Sequence, residues 1–247
     1  MDMPIWFDKT VLALTGTRVG PVQRSVAQHG GTLQYNFSQC LDPVKAQITI
    51  HQDTAGGVCE SLSAHWIKFH AEDDSLWNWL FPNGALSEQH LFHVMTLHQI
   101  GGNAPNQDQV SEAWLQSHNV LPLQNNGGVG IAGPNGRRQI HVVTGPRLDQ
   151  GQTTMRNSAA LADEIIREPT RSAGSYKKIG ISGKVGAHAM AAWVAEDVLF
   201  FDPNFGEFWF PTKNAFRNWF VNSFWNTSMY AIGLSGSYDV RCYAHAT

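Results

Sequence analysis

The chain has 247 residues and a mass of 27.3 kDa, long enough to bury a full hydrophobic core. Its 17 Lys+Arg against 20 Asp+Glu give a formal charge of −3, with no basic run longer than Arg137-Arg138 or Lys177-Lys178, which argues against a nucleic-acid partner. Nowhere do about eighteen apolar residues run together, and Met1-Asp2-Met3-Pro4-Ile5-Trp6 lacks a basic stretch leading into an apolar one, so neither an integral membrane segment nor a Sec signal is expected.

Three widely spaced cysteines, Cys40, Cys59 and Cys242, make a poor disulfide framework and suit a reducing site of action. No composition break demands two domains. The expectation is a single domain over 1–247, with a core from about 45 to 245 behind a short lead-in. The nine tryptophans fall mostly in helical or strand-like runs and are expected in the core.

Residues 1–50 mix short apolar runs with Gly30-Gly31 and read as irregular lead-in containing one or two short strands or helices. Polar residues then accumulate from Gln47 to Asp53. Gln52 lies seven positions ahead of Cys59, where its amide could donate to a developing oxyanion beside the Cys59 backbone N–H. Gly56-Gly57 permits a sharp turn, and Leu62, Trp66, Ile67 and Phe69 recur at helical spacing, so a helix is predicted over about 59–70. A thiol acts as a nucleophile in its thiolate form, and the free N–H groups and partial positive charge of a helix start favour that anion. Cys59 is therefore a candidate nucleophile; the other reading is a small buried hydrophobe.

Downstream, Glu72-Asp73-Asp74-Ser75 can cap a helix over Leu76–Phe81 that stops at Pro82-Asn83-Gly84, and Ser87 opens another through Leu97. His90, His93 and His98 lie on that helix without an H-E-x-x-H pattern, so no metal site is expected. A helix is predicted near Gln109–Ser117. Gly128-Val129-Gly130-Ile131-Ala132-Gly133 matches a nucleotide-loop spelling, but Pro134-Asn135-Gly136 follows where the phosphate-binding helix should begin, and no nucleotide cofactor is expected. A short strand at Ile140–Val143 and an amphipathic helix over Ser158–Arg167 come next.

From Tyr176 the pattern turns to strands. Ala187–Val194 and Val198–Phe201 flank Ala195-Glu196-Asp197 and predict an antiparallel hairpin. With a three-residue loop Val194 faces Val198, and His188 lies diagonally from Asp202 on one face, within side-chain reach. A two-residue loop would separate the two faces. Pro211 is predicted to open a helix through Phe220, and Met229–Cys242 to form one or two closing strands.

These residues compose a constellation. His188 can take the proton of Cys59 and return it to a leaving amine, while Asp202 fixes the ring and stabilises the imidazolium. Cysteine on a helix, then histidine and aspartate on an antiparallel sheet, is the papain-like order, and the predicted fold class is α+β of that type. Gly57-Val58-Cys59-Glu60-Ser61-Leu62 with Trp66, Gly186-Ala187-His188-Ala189, and the nine residues Phe200–Phe208 resemble the three catalytic blocks of the YopT/AvrPphB cysteine peptidases, which are bacterial virulence effectors. The resemblance implies nucleophile Cys59, base His188 and orienting acid Asp202, with Asn204, Phe205 and Glu207 supporting the Asp202 turn. It further implies a host protein as substrate and export by a leaderless bacterial route into the host cell. A secretion chaperone is the further partner this delivery suggests, although the 58 residues before Cys59 leave little room for a long chaperone-binding extension. A deamidase or transglutaminase could use the same triad, and a binding module could carry a vestigial one.

Overall fold

The computed structural model describes residues 5–102, 107–123, 142–144, 154–168 and 174–246. The helices are α1 (Ile5–Gly16), α2 (Val19–Ser25), α3 (Val44–Ile48), α4 (Cys59–Ala71), α5 (Leu76–Leu80), α6 (Glu88–Gly102), α7 (Gln107–Ser117), α8 (Thr154–Ile165), α9 (Lys213–Trp219), α10 (Trp225–Thr227) and α11 (Tyr230–Gly233). The strands are β1 (Thr32–Tyr35), β2 (Val120–Pro122), β3 (Val142–Thr144), β4 (Ser175–Gly183), β5 (Gly186–Val194), β6 (Val198–Asp202), β7 (Gly206–Phe210) and β8 (Ser237–His245). No described helix is long and apolar enough to cross a membrane.

The strands form one antiparallel sheet in the order β1-β7-β6-β5-β4-β8-β2, with β3 also paired to β8. β4 to β7 are consecutive hairpins. In the β5–β6 hairpin Val194 pairs with Val198 and Ala191 with Phe201, the three-residue-loop register. Strand alternation sorts the side chains into two cores. Met190, Ala192, Val194, Val198 and Phe200 face a core closed by α2, α8, α9 and the π-helical turn Phe220–Phe224. Ala191 and Phe201 face the other core, closed by α4, α5, α6 and α7.

α4 carries the expected buried set Leu62, Trp66, Ile67 and Phe69, and also buries Ser61, Ser63, Ala64 and His65. It is thus buried on nearly all sides, as a helix at the centre of a fold must be. Two side chains tie it to its neighbours. Glu207 on β7 accepts indole N–H bonds from Trp66 at 2.7 Å and Trp77 at 2.8 Å on the same oxygen, fastening α4 and α5 to the sheet. Lys178 on β4, itself buried, donates to Glu60 at 2.5 Å and to Ser111 on α7 at 2.7 Å.

Several expectations change. Before residue 45 the expected short helices and strand are α1, α2 and β1, and they are built into the fold: Val19, Val22 and Val26 belong to the first core, and β1 pairs with β7. β2 and β7 lacked a clear signal, because β2 is three residues long and β7 follows Asp202 through a tight turn. Glu207 braces α4 and α5 and makes no bond to the Asp202 turn among the described residues. The helix after Pro211 starts at Lys213, capped by the Thr212 hydroxyl, which accepts the Ala215 N–H at 3.1 Å. Between Met229 and Cys242 the short helix α11 precedes a single strand, β8. The Gly128–Gly133 motif lies outside the described residues.

Candidate active site

Cys59 is the first residue of α4, so its N–H has no intrahelical acceptor. Gly57 delivers it with φ +111°, a conformation that favours glycine. A Cβ there would lie 3.1 Å from Gln39 Nε2, so the bare backbone also makes room for that amide. Glu60, the second helical residue, is clamped by Lys178 and Ser111, which fixes the helix start against β4 and α7.

His188 and Asp202 lie at the same end of β5 and β6, and both are buried. His188 Nε2 meets Asp202 Oδ1 at 2.9 Å. Cys59 lines the same cavities as this ring, and with Nε2 engaged by Asp202, Nδ1 is the ring nitrogen left for the thiol. Burial acts most strongly on the imidazole and favours its neutral form. Asp202, through its charge and its hydrogen bond, and Cys59 together outweigh that and hold its pKa at about 10.

Asp202 opens the β6–β7 turn in the manner of an Asx turn. Its Oδ1 accepts the Asn204 N–H at 2.8 Å, and its carbonyl accepts the Phe205 N–H at 2.9 Å. Gly206 closes the turn with φ +112°, where a Cβ would sit 2.6 Å from the Tyr35 carbonyl oxygen. Oδ2 of Asp202 accepts the Tyr230 hydroxyl at 3.0 Å. Burial pushes the Tyr230 pKa well above the ordinary phenol value, so the hydroxyl keeps its hydrogen.

The donor sense of these bonds is set from one end. The Val58 N–H can only donate, and it donates to Gln39 Oε1 at 2.8 Å. Gln39 Nε2 must then be the donor to Asn204 Oδ1 at 2.8 Å. Asn204 Nδ2 in turn donates to the Tyr230 hydroxyl at 2.9 Å. That hydroxyl sends its hydrogen to Asp202, a carboxylate that only accepts, and His188 must therefore present Nε2–H. The ring is oriented toward Cys59 by a chain of polar groups that begins beside Cys59 itself.

Cys59 and His188 line two cavities. One, of about 330 Å³, carries Asp53, Glu60, His98 and Asp239 and has Gly56 and Gly57 in its wall. The other, of about 620 Å³, is bounded mainly by apolar residues including Leu12, Val185, Met229, Ile232 and Leu234. The thiol is partly exposed between them.

Of the four candidate site residues, Cys59, His188 and Asp202 come together and Gln52 does not. Gln52 starts the turn Gln52–Thr54 with its side chain exposed, and it lines neither cavity. The amide that reaches the Cys59 cavity is Gln39. Gln39 and Tyr230 escaped the sequence analysis because nothing local marks them; their partners lie 165 and 28 residues away. His90 Nδ1 donates to the Trp79 carbonyl at 2.6 Å, and among the described residues no group of three or more His, Cys, Asp or Glu side chains could hold a metal.

A central helix led by a cysteine, packed on an antiparallel sheet that carries histidine and aspartate, defines the papain-like class of cysteine peptidase folds. Within that class the chain belongs to the Peptidase_C58 family, whose model, described as Yersinia/Haemophilus virulence surface antigen, matches residues 23–240. It is 38% identical over 226 residues to cysteine protease YopT of Yersinia pseudotuberculosis, covering 87% of this chain and 64% of that protein. Cysteine protease yopT1 of Yersinia enterocolitica is 36% identical over 245 residues, covering 91% of this chain and 68% of that one. The chain thus spans about two thirds of these relatives. Among solved structures, Pseudomonas avirulence protein AvrPphB aligns with a TM-score of 0.50 at 16% identity, over 76% of this chain and 91% of that one, a likeness of fold.

Proposed function

We propose that the protein is a cysteine endopeptidase with Cys59 as nucleophile, His188 as general base and acid, and Asp202 as the carboxylate that orients and charges the ring. The observation that carries this reading is the set gathered at the head of α4: Cys59 and His188 sharing the walls of both cavities, with His188 Nε2 standing 2.9 Å from Asp202. In this reading the Cys59 proton passes to His188, Sγ attacks the scissile carbonyl, and the imidazolium gives its proton to the departing amine. Water then hydrolyses the thioester with His188 as base. Support for action on a main chain comes from the cavities on both sides of Cys59, which give a substrate room to run past the thiol in two directions. A glutamine side chain attacked by a deamidase needs room on one side only. The family and its YopT relatives support a host-cell protein as substrate and delivery by a leaderless bacterial route, with a secretion chaperone as a further partner.

The test compares host-cell lysate treated with wild type and with Cys59→Ala, with new N-termini tagged and identified by mass spectrometry. New termini confined to the wild-type sample are expected. A gain of about one dalton at glutamine with no new termini would assign a deamidase instead, and equal termini from a folded Cys59→Ala protein would remove Cys59 from the mechanism.

A further inference from the structure

We propose that Lys177 and Cys242 form a redox cross-link, a sulfenamide bond between Nζ and Sγ that is made when hydrogen peroxide oxidises the cysteine. The pair lies on β4 and β8, outside the catalytic set, and stands independently of the peptidase reading. Lys177 and Cys242 are directly opposed in the β4–β8 ladder, so their side chains leave the sheet on one face. Lys177 Nζ donates to Cys242 Sγ at 3.0 Å and to the Arg167 carbonyl, just past α8, at 2.6 Å. Lys177 is 1% exposed, and among the described residues no carboxylate lies within ion-pair distance of its nitrogen. The next residue shows the usual arrangement: Lys178 is buried too, and its Nζ meets Glu60 at 2.5 Å. Beside Lys177 Nζ the group able to carry a compensating negative charge is the Cys242 sulfur, and a buried cation requires one. Cys242 is in no disulfide and is half-buried, so a small reagent reaches the sulfur while the nitrogen behind it stays covered.

Oxidation supplies an electrophile where a nucleophile is already seated. The Cys242 sulfur attacks one oxygen of hydrogen peroxide and the O–O bond breaks. The departing hydroxide leaves as water with the proton that sulfur and nitrogen share, so a sulfenic acid then stands beside a neutral amine. The Lys177 nitrogen bonds to that sulfur, the S–O bond breaks, and the hydroxide leaves as a second water with a hydrogen from nitrogen. Thiol and amine lose one hydrogen each, sulfur is oxidised, and one peroxide is reduced to two waters. The strands hold the two atoms 3.0 Å apart, so this condensation is intramolecular and outruns attack by a second peroxide, which would carry the sulfur to sulfinic acid. Thiols reverse the link: one attacks the sulfur and frees the amine, and a second reduces the mixed disulfide.

The experiment treats the full wild-type chain with hydrogen peroxide, blocks remaining thiols with N-ethylmaleimide, and digests with trypsin, which cuts after Arg241 and isolates residues 242–247. Mass spectrometry is expected to find that peptide joined to one in which Lys177 is uncut, about 2 Da lighter than the two summed. Dithiothreitol should return both peptides separately. Lys177→Arg keeps the positive charge and removes the nucleophilic amine, so labelling of the Cys242 sulfenic acid by dimedone should rise at least about tenfold over wild type. Where the arginine variant does not fold, Lys177→Met takes its place, and the wild-type linkage is read without either. Oxidised wild type without the linked pair, or with Cys242 joined to another lysine, would overturn the proposal. So would a linked pair about 14 Da heavier than the sum, which keeps an oxygen between nitrogen and sulfur, and so would equal dimedone labelling in wild type and a folded variant.

Discussion

Replacing Asp202 by asparagine removes one charge while keeping the outline of the side chain. An asparagine Oδ1 can still accept from His188 Nε2 and the Asn204 N–H, which now stand 2.9 and 2.8 Å from Asp202 Oδ1. Its Nδ2 would face the Tyr230 hydroxyl, whose hydrogen loses its acceptor. At His188 the main loss is therefore electrostatic. Burial pulls the imidazolium down, and Asp202 and Cys59 together raise it from 6.5 to about 10. That rise corresponds to about 5 kcal/mol in favour of the charged ring. Without Asp202 the burial remains with only Cys59 to oppose it, and the His188 pKa is expected to fall well below the wild-type value. Because the folded-state value is raised, the stabilisation is complete below about 6.5 and is lost as pH climbs toward 10. Wild type should lose stability across that window, and Asp202→Asn should show little of this slope. The assay is an NMR titration of the His188 ring nitrogens from about pH 5 to about pH 10.5, paired with urea denaturation near the two ends of the window. A variant whose His188 midpoint stays within about half a pH unit of wild type would refute the assignment of Asp202 as the charge that holds the ring protonated.

Glu207→Leu leaves the Trp66 and Trp77 indole N–H groups buried without an acceptor and should cost about 2–6 kcal/mol in chemical denaturation, whereas Glu207→Gln, which still offers one oxygen to both, should cost under about 1 kcal/mol. Equal losses in the two variants would show that the carboxylate charge matters and the shared oxygen does not. Tyr230→Phe should lower stability by about 1.5–3 kcal/mol, since it strips a donor from Asp202 and an acceptor from Asn204; an unchanged urea midpoint would count against the ordered chain of bonds. Gly57→Ala should cost about 1–3 kcal/mol through its positive φ and its approach to Gln39, and peptide cleavage should fall more than the folded fraction does. A fall in activity that merely tracks unfolding would remove Gly57 from the site.

What the sequence made legible follows the range of the interactions involved. The helix behind Cys59 and the β5–β6 hairpin are local patterns, and once Val194 is set opposite Val198 simple alternation brings His188 and Asp202 to one face. Gln52 was chosen for its nearness in sequence to Cys59, but the turn that follows it directs its side chain to solvent. The amide that does approach arrives from a segment 19 residues upstream of Val58, through a bond that no periodicity encodes. β1 could not be given its bounds for a related reason. Its four residues alternate exposed and half-buried, with no continuous apolar run, and they become a strand only because β7 supplies an edge. Glu207 was read from its place in the third block as support for the neighbouring turn, while its partners sit on helices more than a hundred residues earlier.

The polar chain from Val58 to His188 has a bearing on how folding and activity are linked. Its members are drawn from the head of α4, the segment ahead of α3, the β6–β7 turn and α11, joined across separations of 19, 165 and 26 residues. A molecule with α4 formed and its thiol free, but with any of those segments undocked, has nothing to choose between the two tautomers of His188. Contacts of such long range close late, because loop-closure entropy opposes them until the rest of the chain is in place. Turnover is then a property of finished molecules alone. The fraction of a preparation that Cys59 titration counts as active would equal the fraction in which both ends of the chain have reached the sheet.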